Sequence, residues 1–153
     1  MRILIVEDDQ ICTLVLVKCL APVGQVQTAS NGRVALDAFT ASLRDGRPFE
    51  LVCLDIMMPM LDGQAVLKEI RAIEDRNGVP SGKGAKVIMT TALSDSENLL
   101  QAVPRCDAYL TKPINRSDLM FYIRKFGLLQ PDSGEISPRR SHPPPLRSAN
   151  QGR

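Results

Sequence analysis

Short apolar runs alternate with longer amphipathic stretches along this chain. Ile3 to Val6 is continuously apolar, as expected of a strand buried on both faces. Residues 9–21 carry Ile11, Leu14, Val15, Val17 and Leu20 in a helical mixture that stops at Pro22. Val26 to Ala29 reads as a second strand, and Ser30-Asn31-Gly32 as a turn in which Ser30 or Asn31 caps the next helix. In that helix Val34, Ala35, Ala38, Phe39 and Leu43 share one face, until Asp45-Gly46-Arg47-Pro48 breaks it. A third strand at 50–54 precedes a helix from Gly63 to Asp75, with Val66, Leu67, Ile70 and Ile73 in one stripe. After a long, flexible Gly-rich loop at 77–84 come a strand from Lys86 to Thr90 and a short helix capped by Ser94 or Asp95 and ending near Pro104. The last pair is a strand from Asp107 to Leu110 and a helix from Ser117 to Phe126, capped by Asn115 or Ser117. Five strands alternating with five helices predict an α/β fold, a doubly wound parallel sheet with helices on both faces. Right-handed crossovers then put every strand's C-terminal end on one rim.

Composition narrows the function classes. The chain has 153 residues, the size of one domain, and its 44% hydrophobic but 4% aromatic content predicts an aliphatic core. Residues 1–130 hold 15 basic and 15 acidic residues, so the net charge of +2 comes from residues 131–153. That balance gives no argument for direct nucleic-acid binding. No apolar stretch approaches the roughly 20 residues that span a bilayer, and no secretory leader is visible behind Met1-Arg2. The cysteines Cys12, Cys19, Cys53 and Cys106 lack metal-site spacing, which suits a reduced, cytoplasmic protein. Residues 129–153 form a Pro/Arg/Ser-rich segment, with Pro143-Pro144-Pro145 and the single histidine, His142, and are expected to be a disordered tail.

The candidate chemistry sits at predicted strand ends. The first strand runs into Glu7-Asp8-Asp9, and the third delivers Asp55 at its C-terminal end, where open α/β sheets bind ligands. Thr91 follows the fourth strand and Lys112 the fifth. Carboxylates at 8, 9 and 55 gathered on one rim would repel one another, and a divalent cation removes that penalty. Mg²⁺ prefers such oxygen ligands and works with phosphate. One carboxylate can then attack an activated phosphoryl group, with Lys112 as a second positive charge and the Thr91 hydroxyl bonding a phosphoryl oxygen. The same residues have plainer uses: Asp8 or Asp9 suits a cap of the first helix, and Asp55 a turn before Pro59.

The segments Ile3-Leu4-Ile5-Val6-Glu7-Asp8-Asp9, Leu54-Asp55-Ile56-Met57-Met58-Pro59 through Asp62-Gly63, Val87-Ile88-Met89-Thr90-Thr91-Ala92 and Asp107-Ala108-Tyr109-Leu110-Thr111-Lys112-Pro113-Ile114 occur in order. Together they resemble the receiver domain of two-component response regulators, over about residues 1–128. The resemblance implies a flavodoxin-like sheet of order 2-1-3-4-5, with Asp55 as phosphoacceptor. It implies Asp8 and Asp9 as the acidic pair holding Mg²⁺, Asp9 usually the direct ligand, and the Met57 backbone carbonyl as a third protein ligand. Thr91 matches the switch hydroxyl, Tyr109 the switch aromatic, and Lys112 the family's signature lysine, with Pro113 its customary cis neighbour. Phosphorylation in such a domain redraws the face made by the helix at 94–104, the strand at 107–110 and the helix at 117–126.

The implied function is phosphorelay signalling: phosphate taken from a sensor histidine kinase or phosphotransfer protein and read by a downstream protein. Homodimerisation on phosphorylation is compatible with it. No output domain fits after residue 128, so a stand-alone receiver is expected, one that catalyses only its own phosphorylation and dephosphorylation. The competing reading is a non-phosphorylated pseudo-receiver that serves as a binding module. An aspartyl phosphohydrolase would want a second acid where Met57 stands. Met57 and Leu93 occupy positions that tune phosphoryl lifetime in the family, and both are apolar, which predicts a long-lived phosphoryl group. The segment Leu99 to Cys106, with Pro104, lacks the usual glycine turn, and the loop at 76–86 is longer than typical.

Overall fold

A computed structural model describes residues 1–92 and 105–129. It contains β1 (Arg2–Val6), α1 (Gln10–Leu20), β2 (Gln25–Ala29), α2 (Gly32–Arg44), β3 (Leu51–Asp55), α3 (Gly63–Arg76), β4 (Lys86–Thr91), β5 (Ala108–Thr111) and α4 (Arg116–Lys125). The helix expected at 94–104, Leu93 and the tail from residue 130 lie outside the described residues. The five strands form one parallel sheet in the order β2-β1-β3-β4-β5, as the alternation and the resemblance predict.

The core divides by the two-residue period of the strands. Leu4, Val6, Val52, Leu54, Val87 and Met89 face Phe39 of α2 and Val66, Leu67 and Ile70 of α3. Ile3, Ile5, Leu51, Cys53, Ile88, Ala108 and Leu110 face Leu16, Cys19 and Leu20 of α1 and Leu119, Met120 and Ile123 of α4. Each fully buried aliphatic side chain of this kind contributes about 1.5–3 kcal/mol. Continuous apolar runs are therefore needed, because both sheet faces are covered.

Local chemistry sets where the helices begin. Asp9 starts α1 by accepting from Cys12 N at 2.7 Å, and Asn31 starts α2 by accepting from Val34 N at 2.9 Å. Asp62 caps α3 through Ala65 N at 2.8 Å, and Asn115 caps α4 through Ser117 N at 2.8 Å. Each satisfies an orphan amide of the first turn. The helix α1 departs from the expected pattern. Its Ile11, Leu14 and Val15 are 73%, 60% and 39% exposed, so part of its apolar content stays on the surface.

The two ends of the sheet differ in how they are held. At the N-terminal end Arg71 bonds Glu74 at 2.8 Å, Ala85 O at 2.9 Å and Asp107 at 3.0 Å. Lys86 adds an ion pair to Asp107 at 3.1 Å. These contacts clamp the end of α3 to the starts of β4 and β5, across the long loop. They line an open basin of about 400 Å³ whose Arg71, Glu74, Lys86 and Asp107 neutralise one another. At the C-terminal rim acids predominate, and the site lies there.

Candidate functional site

Three strand ends build the site. Glu7 is the first residue beyond β1, and its amide continues the ladder by donating to Ala29 O at 3.0 Å. Asp55 is the last residue of β3 and is buried. Lys112 follows β5, and its amide donates to Thr91 O at 2.7 Å. The Lys112 ammonium lies 2.7 Å from Glu7 Oε2 and 3.2 Å from Asp55 Oδ2. It approaches Glu7 as charge to charge, off the line of a well-directed hydrogen bond. Asp55 Oδ1 accepts from Met57 N at 3.3 Å.

Oxygens of Glu7, Asp8 and Asp55 all lie within 4.8 Å of one another, with Asp8 on the solvent side. The group includes Glu7 and leaves out Asp9. Asp9 spends its carboxylate on the α1 cap, and the Cys12 amide bond holds its carboxyl below the usual range. Asp8 lies in the acid group, and Glu7 rather than Asp9 stands beside it. The missed residue had a signal in the sequence: Ile3, Ile5 and Glu7 share one face of an alternating strand.

The electrostatics fit a divalent cation. Burial raises the Glu7 carboxyl above its ordinary value despite Lys112 and the Asp9 amide, with Asp55 adding repulsion. Burial lowers the Lys112 ammonium, but Glu7 and Asp55 outweigh it and leave it raised. Three carboxylates thus face one ammonium, all donors are hard oxygen, and one side is open to water. That set suits Mg²⁺, which keeps several waters.

A group whose folded pKa is raised favours the fold below its unfolded value and loses that favour as pH rises through the folded one. Ionised Glu7 therefore costs stability at neutral pH. Glu7→Gln is expected to raise the melting temperature at pH 7 without divalent ions. The gain should vanish below the ordinary carboxyl value of 4.5. The same variant should show a smaller magnesium-induced rise, and thermal melts across pH and magnesium concentration check both.

Alternation puts Thr91 and Tyr109 on the α2–α3 side of the sheet, following Met89, which pairs with Tyr109. Thr91 Oγ1 donates to Ala92 O at 3.2 Å, not to Asp55. Burial, then a hydrogen bond with Cys106, pushes the Tyr109 phenol up to about 12, so the ring is neutral. The Met57 side chain is exposed beside Asp55, and the Lys112-Pro113 peptide is cis. The loop from β3 to α3 closes tightly. Gly63 N donates to Ile56 O at 3.0 Å, and a β-carbon on Gly63 would overlap the Asp55 carbonyl oxygen.

The doubly wound sheet thus carries two buried acids, Glu7 and Asp55, together with Lys112 at its carboxyl rim, where open α/β sheets bind ligands. The model of the response regulator receiver domain matches residues 3–124, and the chain belongs to that family. It is 36% identical over 121 residues to the regulatory protein VanRB of Enterococcus faecalis, covering 78% of this chain and 49% of that protein. It is 32% identical over 128 residues to the hybrid signal transduction histidine kinase L of Dictyostelium discoideum, covering 82% of this chain and 7% of that protein. The chain thus spans half or less of these two relatives. A receiver domain protein from Clostridium thermocellum aligns with a TM-score of 0.67 at 27% identity, over 82% of this chain and 92% of that one. The receiver domain of a histidine kinase from Arabidopsis thaliana, complexed with Mg²⁺ and BeF₃⁻, aligns with a TM-score of 0.66 at 27% identity, over 82% of this chain and 89% of that one. Receiver domains are signalling modules of two-component phosphorelays, and they bind Mg²⁺ in an acidic pocket. Among the described residues, no helix is long and apolar enough to cross a membrane.

Proposed function

We propose that Asp55 accepts a phosphoryl group, with Mg²⁺ bound, from a sensor histidine kinase or a phosphotransfer protein. The observation that carries this is the Lys112 ammonium seated between two buried carboxylates, Glu7 and Asp55, beside the open Asp8. An Asp55 carboxylate oxygen forms the bond to phosphorus as the donor's P–N bond breaks, and the donor imidazole leaves protonated or takes a proton from water. Hydrolysis of the acyl phosphate returns inorganic phosphate and the free carboxylate.

Glu7, Asp8 and Asp55 would hold the cation, which supplies charge neutralisation at the phosphoryl oxygens. Residue by residue, Lys112 holds the Asp55 carboxylate in place and offers a second positive charge. The Met57 amide orients Oδ1. The complex of the Arabidopsis receiver with Mg²⁺ and BeF₃⁻ supports the same chemistry here.

The outcome would be read on β5, α4 and the segment at 93–104, through Thr91 and Tyr109. We take residues 1–128 as the receiver unit and the rest as a tail, acting in the cytoplasm. The pseudo-receiver reading gains nothing from the site, whose charged set is complete.

Radiolabelled acetyl phosphate tests this. The purified chain is expected to take up label only with magnesium, to lose it to hydroxylamine as an acyl phosphate does, and to carry it on the peptide containing Asp55. A chain that stays unlabelled, or is labelled elsewhere, would leave the binding-module reading in possession.

A further inference from the structure

Cys106 is held between two anchored residues. Arg71 of α3 bonds the Arg105 carbonyl at 3.3 Å and the Asp107 carboxylate at 3.0 Å. Asp107 is also tied to β4. Its amide donates to Val87 O at 2.9 Å, its carboxylate accepts from Val87 N at 2.8 Å, and Lys86 pairs with it at 3.1 Å. A side chain mounted between such neighbours has a fixed origin. Its thiol is half-buried and packs on the α2–α3 side of the sheet.

The thiol meets Tyr109, which packs on the same side. The Tyr109 hydroxyl donates to the Cys106 sulfur. Cys106 precedes β5 and Tyr109 is the second residue of that strand, so the bond runs back along the chain. It turns the tip of the ring toward the start of the strand. The carboxyl rim lies the other way. Tyr109 pairs with Met89, and Thr91 stands two residues nearer the rim on the same face. The Thr91 hydroxyl donates to Ala92 O at 3.2 Å. Each of the two groups thus has its own partner in the resting protein.

We propose that Cys106 is a positioning residue for Tyr109, a latch that holds the ring in its resting orientation until Asp55 is phosphorylated. This rests on the reading of Asp55 as phosphoacceptor and of Tyr109 as the ring that carries its state to the surface. A ring that turns toward the rim has to give up the sulfur first. Burial keeps the thiol protonated, so the bond joins two neutral groups and is of ordinary strength. Only the resting orientation has it, and the balance between two orientations shifts by what one has and the other lacks. The anchoring by Arg71 and Asp107 makes the latch effective. A sulfur free to follow the ring would not oppose its turning.

Cys106→Ala should lower the beryllofluoride concentration for half-saturation in magnesium buffer, followed by fluorine NMR, by about two- to ten-fold, as loss of one resting-state hydrogen bond implies. Tyr109→Phe removes the same bond from its other end, so adding Cys106→Ala to it should change the half-saturation no further. Cys106→Ser keeps an acceptor and should bring the value back toward wild type. The chain has two tyrosines, so ring-carbon-labelled tyrosine gives one set of signals for each. The Tyr109 Cζ signal should differ between wild type and Cys106→Ala without ligand, and coincide once both are saturated. A thiol that only fills space would leave the difference in both states, and that result overturns the latch. Equal half-saturation for wild type and Cys106→Ala, or independent effects of the two substitutions, also overturns it and leaves the phosphoacceptor reading standing. A wild-type chain that takes up no beryllofluoride overturns the phosphoacceptor reading, and the latch with it.

Discussion

Lys112→Met is expected to slow labelling by acetyl phosphate by about 10²–10³-fold, the usual cost of losing one donor aimed at developing charge. The methionine keeps most of the stem's apolar volume, so the loss is one of charge. The change also leaves Glu7 and Asp55 buried and facing each other with no cation between them. Removing one member of a buried ion pair destabilises by about 3–5 kcal/mol when the partner charge is stranded. Here the stranded carboxylates can share a proton, and the sign follows from that. Glu7 is already raised by burial, and without the ammonium it rises further. The variant should be close to wild type below the ordinary carboxyl value of 4.5. It should lose stability as pH climbs through the raised value, and magnesium should recover part of the loss. Labelling rates and melts from acid to neutral pH check both halves. A variant with unchanged rate and a flat pH profile would show that Lys112 is an ordinary surface lysine.

Gly63→Ala is expected to give the second large effect. A β-carbon there overlaps the Asp55 carbonyl oxygen and comes within 2.9 Å of Ile56 Cα. Both obstacles are backbone, so no side chain can swing aside. Overpacking a well-filled core costs about 1–3 kcal/mol, and more where nothing yields. The movement that relieves it pushes the start of α3 away from the end of β3, and Asp55 shifts with its own peptide. The variant should melt well below wild type, and what remains folded at low temperature should label poorly. Gly46 provides the contrast, with open space around its β position and φ of 66°. Its replacement by alanine strains only a remote turn and should leave labelling unchanged.

Much of this was legible in the chain because buried parallel strands leave a coarse mark. Ile3 to Val6 and Leu51 to Leu54 read as strands covered on both sides, and the structure buries them so. Each of the second and last helices offered two candidate caps, and the structure selects Asn31 over Ser30 and Asn115 over Ser117. The rim was legible too, since Asp55 and Lys112 stand at strand ends and the structure brings them to 3.2 Å. Two features were not read. Asp8 and Asp9 are adjacent acids, and residue type alone does not say which one caps the helix. The strand's alternation marks Glu7 as the buried partner, and the bond from Cys12 N shows Asp9 as the cap. The exposure of Ile11, Leu14 and Val15 was also hidden. An apolar helix position reads as core until its neighbours are known, and α1 carries more apolar residues than its buried face uses.

The division of labour between Asp8 and Asp9 separates two processes that a single shared carboxylate would have joined. Asp9 nucleates the first turn of α1 from outside the acid cluster. Whatever ion occupies the rim can then exchange with solvent while the helix start stays pinned. Phosphorylation of Asp55, as proposed, would then not draw on the folding of the helix beside it.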